Sequence, residues 1–437
     1  MSDSKLTLPQ RNDLINHVTS CIPKYSAKKN LQILKDLPIH KQTIDKCEIP
    51  LQLISIKLPT WGSQWGINGN ILVPRESCGK DKNWQDTDWW LAIFMMLECW
   101  HERVWEALHG PIHSYSFRLK RWDTRVWDHA WVNRIILFLQ EWAAFKKRTE
   151  RSSLFGQLPH CRIQLSFDVD AISKTIPIRV KQGIFNFFNS FRLACLLNPV
   201  LATNRFRKAL RFFFGNENWW TFERIFDLTK DIEPKPIFNF CASKNIGFKQ
   251  WLMDPSYDIE NPKILRLINE IKDRASIIGL HPSFDSWNDG SALIKEKELL
   301  EKTANIEVKS ARQHWLRFSW EQTWECQEKA GLNQDTTLMF NDRQGFRNSS
   351  ALRWNPWNPS SKNKRKISSK PTILMDSHLF DYGLLTAPER KNAIRKLIRE
   401  NVSIGGICSV LWHPHTLTQD YGWQEDFEVL LNELSQL

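Results

Sequence analysis

From residue 162 onward the chain alternates short apolar runs with amphipathic helical stretches, and this alternation limits the fold more than any other feature. The apolar runs are 162–168, 236–241, 276–280, 308–313, 336–340, 371–375 and 406–411. Helical spacing fills 184–197, 220–232, 262–274, 291–303, 320–330, 388–400 and 424–437. Strands that alternate with helices pair in parallel through right-handed crossovers, which leaves a doubly wound sheet or a (β/α) barrel. The strand exits decide between them. Asp168 and Asp170 end the first run, His281 follows the third, and Arg312 and His314 end the fourth. Asn341 and Asp342 follow the fifth, Asp376 and His378 the sixth, His413 and His415 the seventh. Barrels draw their sites from the C-terminal ends of many strands, whereas open sheets concentrate them at one switch point. The expectation is an α/β barrel over 161–437.

Upstream, residues 1–48 are polar and carry one modest helical pattern. Residues 49–145 read as a small Trp-rich α+β unit, with strand-like text at 51–58 and 65–73 and helices over 88–108 and 131–145. Residues 146–160 are charged, then carry Ser and Gly, then end in Pro, which is linker composition. His101-Glu102-Arg103 and His109-Gly110 have no third ligand at metal spacing and read as packing or capping residues.

A net charge of +12 implies an anionic partner. The 22 Trp residues suit carbohydrate faces or unpaired bases, although most are expected in the core. No recognisable nucleic-acid module accompanies them. Nine scattered Cys without a C-x-x-C pair indicate a reducing compartment. The first twenty residues lack an apolar signal region, and the longest apolar stretch, 89–97, is too short to span a bilayer. A cytoplasmic protein without a transmembrane segment is the expectation.

Strand alternation places Asp168 and Asp170 on one side. Asp170 and His281 with a third N or O donor make an open site for Zn²⁺ or another divalent ion, which acidifies a bound water and polarises a carbonyl. Asp168 is then placed to take the water's proton, Arg312 to keep Asp168 ionised and oriented, and His413 to protonate the leaving group. Two residues compete as third donor. Asp285 lies one helical turn beyond His281, and His314 lies two residues beyond Arg312 on the same side of the strand. Pro282 disfavours a regular turn before Asp285, which inclines the choice to His314. The stretch 353–370, with Trp354, Trp357 and six basic residues, reads as a loop on the site's side that holds a sugar ring and a phosphate.

Five motifs carry a resemblance: Ser166-Phe-Asp-Val-Asp170, Gly279-Leu-His-Pro-Ser283, Arg312-Gln-His-Trp-Leu-Arg317, Asp335-Thr-Thr-Leu338 with Gly345-Phe-Arg347, and Leu411-Trp-His413. In order and spacing they resemble the polysaccharide deacetylases, carbohydrate esterase family 4, over about residues 160–415. The upstream unit resembles the helper domain found before such barrels in a bacterial subgroup. The resemblance implies a distorted (β/α)7 TIM-like barrel that removes acetyl groups from N-acetylated sugars with a divalent metal. It implies Asp168 as base, Asp170 and His281 as metal ligands, Arg312 as the tether of the base and His413 as general acid. The family's second motif carries two His four residues apart, whereas position 285 is Asp, so His314 or Asp285 completes the ligand set, or the metal site is degraded and the barrel only binds sugar. Trp315 and Asp376, beside these motifs, are expected to contact substrate along with Trp354 and Trp357. The expected substrate is an N-acetylated sugar or oligosaccharide of a surface-polysaccharide precursor, nucleotide-linked or lipid-linked.

Overall fold

The computed structural model describes residues 6–437 except 23, 24, 26, 27, 45, 244–246 and 384. Strands β1 (Leu53–Lys57) and β2 (Asn70–Pro74) pair antiparallel, with Ile56 opposite Ile71 and both buried. Helices α1 (Arg11–Ser20), α2 (Lys28–Lys35), α3 (Trp89–Leu97), α4 (Trp100–His109) and α5 (Trp131–Lys147) surround this pair. The single helix expected over 88–108 is two, because Cys99 adopts a positive φ of 45° and turns the chain. Every residue of α3 is buried, as a helix that is apolar all round requires. Asp88 caps it by accepting from the Leu91 amide at 3.0 Å. The stretch 146–160 carries the end of α5 and a short helix α6 (Arg151–Phe155), whose Phe155 is buried.

The second unit is a curled eight-stranded parallel sheet wrapped by helices, a distorted (β/α) barrel. Its strands are β3 (Arg162–Val169), β4 (Ile237–Phe240), β5 (Ile277–Leu280), β6 (Ser310–Ala311), β7 (Gln334–Asp335), β10 (Ser368–Ser369), β11 (Thr372–Met375) and β12 (Ile407–Trp412). Beside it, β8 (Trp357–Asn358) and β9 (Asn363–Lys364) form a small hairpin. The order is β10-β7-β6-β5-β4-β3-β12-β11. The two edge strands are consecutive in the chain, and the Lys370 and Thr372 amides donate to the Asp335 and Leu338 carbonyls at 2.9 and 3.2 Å, which draws the edges together. The fifth run forms its ladder at Gln334–Asp335 rather than over 336–340, because the Asp335 carboxylate accepts from the Thr337 amide and hydroxyl and bends the chain off the sheet.

The helix expected over 184–197 is a hairpin, α7 (Ile176–Cys195) and α8 (Pro199–Phe214). Asn198 caps α8 and Pro199 occupies its first turn. Gly183 permits the close approach of the two helices, since a Cβ there would stand 2.5 Å from the Phe213 ring. The remaining helices are α9 (Phe222–Thr229), α10 (Phe248–Met253), α11 (Pro262–Asp273), α12 (Gly290–Ala304), α13 (Thr323–Lys329), α14 (Ala387–Ser403) and α15 (Gln424–Leu434). One continuous apolar core runs from Leu14 to Leu434 through both units. Buried ion pairs cross between them: Arg347 with Glu102 at 2.9 Å, and Arg134 with Glu400 at 2.6 Å.

Candidate active site

Alternation along β3 turns Phe167 outward, where it stacks on Phe238, and sends Ser166 and Asp168 towards Arg312. Arg312 is fully buried, and its donors are all placed. Nε donates to the Thr336 carbonyl at 3.2 Å, one terminal nitrogen to Ser166 Oγ at 2.8 Å and Asp168 Oδ1 at 3.2 Å, and the other to Thr372 and Ser409 at 3.2 Å each. Asn239 on β4 adds a hydrogen bond to Asp168 Oδ1 at 2.7 Å. Gly279 on the neighbouring strand leaves room for it, because a Cβ would lie 2.2 Å from Asn239 Oδ1. With Oδ1 engaged twice, Oδ2 of Asp168 faces His281, 3.9 Å from its Nδ1.

Three donors converge beyond the strand ends. His281 Nδ1 lies 2.7 Å from the Arg312 carbonyl, which can only accept, so Nδ1 carries the proton and a neutral ring turns its Nε2 lone pair to Asp170 Oδ1 at 3.1 Å. His314 repeats the pattern: Nδ1 is 3.0 Å from Asp254 Oδ1, and Nε2 is 3.8 Å from the same Asp170 oxygen. These donor atoms all lie within 4.8 Å of one another. Asp170 Oδ1 is buried and has no hydrogen-bond partner, an arrangement that a cation satisfies. The residues therefore fit a divalent ion. Burial opposes ionisation of Asp170, but His281, His413 and His314 together hold its carboxyl well below the usual range. Burial disfavours a second proton on His281, while Asp168 and Asp170 push the ring's pKa up.

His413 follows β12 and closes the group. Its Nδ1 is 2.8 Å from Asp376 Oδ1, its Nε2 is 3.5 Å from Asp170 Oδ2, and Asp376 also accepts from the His413 amide at 2.9 Å and the Thr416 hydroxyl at 2.9 Å. Burial alone would lower this imidazole's pKa, yet Asp376 and Asp170 push it up to about 10. Asp376 and Asp170 thus favour the protonated form of His413 beside the three donors.

The structure brings Asp168, Asp170, His281, Arg312, His314 and His413 together and moves other expected residues away. Asp285 is half exposed and held by Lys249 at 2.6 Å and Arg317 at 3.0 Å, outside the three-donor group. Asp376 is fully buried behind His413 and orients that ring, and it has no surface open to solvent. Trp354 and Trp357 are core residues: Trp354 donates to the buried Glu98 at 3.1 Å, and Trp357 packs edge-on against His17 and Phe94. Their stretch is tied to the first unit and to Glu328, and it presents no ring to a sugar. Trp315, half-buried beside His314, stays at the rim with Lys181 4.3 Å from its ring. His378 and His415 are structural, the first accepting from the Met375 amide, the second stacked on Trp219; burial pushes both pKa values down to about 4. Asn341 and Asp342 fasten the barrel to Tyr115, Ser116 and Phe117 of the first unit.

Sequence reasoning missed two partners. Asn239, the one polar residue inside the apolar β4, was visible as an anomaly in that run, whereas Asp254, in irregular chain after α10, carries no periodic signal. Cys47, Glu76 and His101 form a second close group in the first unit. There Glu76 already accepts from His101 at 3.0 Å and from the Glu48 amide at 3.1 Å, and burial with two nearby carboxylates pushes the Cys47 thiol far up.

The fold and site define a distorted (β/α) barrel with a candidate metal centre at the strands' C-terminal rim. No family model and no curated protein matches the chain. Among solved structures it is similar to one described as a polysaccharide deacetylase from Mycobacterium smegmatis, 15% identical, covering 64% of this chain and 86% of that one, with a TM-score of 0.38. It is also similar to a CE4 family pseudoenzyme from Bacillus anthracis, 11% identical, covering 64% and 62%, with a TM-score of 0.29. A mutant of that pseudoenzyme with restored enzymatic activity is 12% identical, covering 64% of each chain, with a TM-score of 0.30.

Proposed function

We propose that this chain is a metal-dependent hydrolase that removes the acetyl group from an N-acetylated amino sugar of a surface-polysaccharide precursor. The observation that carries the reading is the buried, unpartnered Oδ1 of Asp170, faced by two imidazoles whose other nitrogens are already committed. A divalent ion held by Asp170, His281 and His314, Zn²⁺ by the chemistry of the donors, would acidify a water and polarise the amide carbonyl. Asp168, oriented through Oδ1 by Arg312 and Asn239, accepts the water's proton on Oδ2 as the oxygen attacks the carbonyl carbon. His413 donates its Nε2 proton to the amine nitrogen as the C–N bond breaks, leaving acetate and a free amino sugar. Trp315 at the rim contacts the sugar. The positive net charge suits a phosphate-bearing precursor, nucleotide-linked or lipid-linked, and a cytoplasmic location belongs to the same proposal.

Acetate release from N-acetylglucosamine oligosaccharides tests this. The wild type is expected to turn over, to stop on chelation and to resume with Zn²⁺. Asp168→Asn should keep fold and metal but lose at least about a hundredfold in rate. Near wild-type turnover by Asp168→Asn removes Asp168 as the base. Sugar binding without turnover by the metal-loaded wild type favours a non-catalytic carbohydrate-binding barrel instead.

A further inference from the structure

We propose that the α7–α8 hairpin docks on the surface of an anionic lipid bilayer and so brings the active site to a membrane-borne substrate. In α7, Ile176, Val180, Ile184, Phe187 and Phe191 recur every three or four residues, which places them on one helix face, and Phe188, four residues after Ile184, widens it. All six are 45–73% exposed. Leu197, in the turn, is 90% exposed, and Val200, Phe206, Leu210 and Phe214 continue the apolar surface along α8. The opposite sides of the helices bury Asn186, Leu193, Ala209 and Phe212. The hairpin is thus anchored by one side and carries on the other a patch larger than soluble monomers commonly leave in water.

Charge selects the occupant. Residues 176–214 contain seven Lys and Arg and no Asp or Glu. Arg205 and Lys208 are spent inward, on Asp381 at 3.1 Å and on the Tyr421 and Trp423 rings, and Arg211 donates to the Gln419 carbonyl at 2.6 Å, while Arg192 and Arg207 are exposed beside the apolar face. A Phe-rich face flanked by cations matches a helix lying in the plane of anionic headgroups. A second copy would set like charges against each other. No helix among the described residues is long and apolar enough to cross a membrane, so the hairpin lies on the bilayer.

Helix α10 extends the same face with Phe248, 77% exposed, and Trp251. Between α7 and α10 runs a groove of about 480 Å³ lined by Ile176, Val180, Ile184, Phe185, Phe248 and Trp251, with Lys181 in its wall. Lys181 stacks on Trp315, whose Nε1 donates to the Met253 carbonyl at the end of α10 at 3.2 Å. The groove therefore leads from the docking face to the rim of the site and has the size of a ligand pocket. That it receives the lipid chain of a lipid-linked sugar rests on the hydrolase reading; the docking does not.

The test is co-sedimentation of the full chain with phosphatidylglycerol–phosphatidylcholine vesicles. The wild type is expected to sediment with them, less with pure phosphatidylcholine and less in high salt. The triple variant Phe187→Ser, Phe188→Ser, Phe191→Ser should partition at least about tenfold less. An unchanged far-ultraviolet circular dichroism spectrum and a cooperative urea-unfolding transition establish that this variant is folded. Three results overturn the proposal: no sedimentation of the wild type, equal sedimentation of the triple variant, or a lipid-independent dimer that the triple variant abolishes. Vesicle binding without any acetate release leaves docking standing and removes the hydrolase reading, and the converse result does the reverse.

Discussion

Arg312 controls the chemistry of Asp168 because every one of its donors is placed, one of them on that carboxylate. A buried carboxylate that loses its cation is left uncompensated, and breaking such a pair costs about 3–5 kcal/mol. We predict that Arg312→Met loses stability on that scale in urea unfolding; a loss within about 0.5 kcal/mol, the range of an ordinary surface change, would remove the pair as an anchor. Much of this detail is legible in the sequence. Asp168, Asp170, His281, His314, Arg312 and His413 stand at strand exits, and alternation assigns one side to Asp168 with Asp170 and to Arg312 with His314. The sequence leaves the third donor between His314 and Asp285, because a turn after Pro282 has no period to read. The geometry separates them: His314 Nδ1 is taken by Asp254, which aims Nε2 at Asp170, whereas Asp285 is engaged by Lys249 and Arg317. Trp354 and Trp357 were misread for a different reason. A Trp ring suits a sugar or a core equally well, and the sequence does not say which side of the chain faces solvent.

Between elements, α5 and α14 are joined by one carboxylate. Glu400 accepts from Arg134 at 2.6 and 2.8 Å and from His129 at 3.0 Å. Burial would raise its pKa, but these hydrogen bonds hold it at about 2, against an ordinary 4.5. A depressed folded-state pKa contributes stability that is fully present above the unfolded value and is lost as pH falls towards the folded one. Here the window runs from about pH 4.5 down to about 2, with a contribution of roughly 3 kcal/mol at neutral pH. Glu400→Gln, which resembles the protonated acid, should therefore be less stable than wild type at pH 7 by about that amount. The two curves should converge as pH approaches 2, as urea unfolding at several pH values would reveal; a gap independent of pH would contradict the assignment. The hairpin of α7 and α8 marks the limit of periodicity. The sequence shows helical spacing only over 184–197 of it, because apolar residues on an outward face blur the contrast that a 3.6-residue period needs.

Across the molecule, the alternation of strand and helix was enough to expect a barrel, because parallel pairing leaves few other layouts. The eighth strand, β10, has two residues and so no pattern to detect, yet it sets the sheet's edge next to β11. The continuous core through both units was hidden for the same physical reason as the Trp placements: composition predicts burial but not what a buried face meets. The proposed chemistry requires that Asp170, His281 and His314 form a cation site. Calorimetric titration of the metal-stripped chain with Zn²⁺ tests this most directly. We predict one equivalent bound by the wild type, no binding by Asp170→Ala or His281→Ala, affinity at least about tenfold weaker in His314→Ala, and a smaller effect in Asp285→Ala. Absence of binding by the wild type, or a larger loss in Asp285→Ala than in His314→Ala, would contradict it.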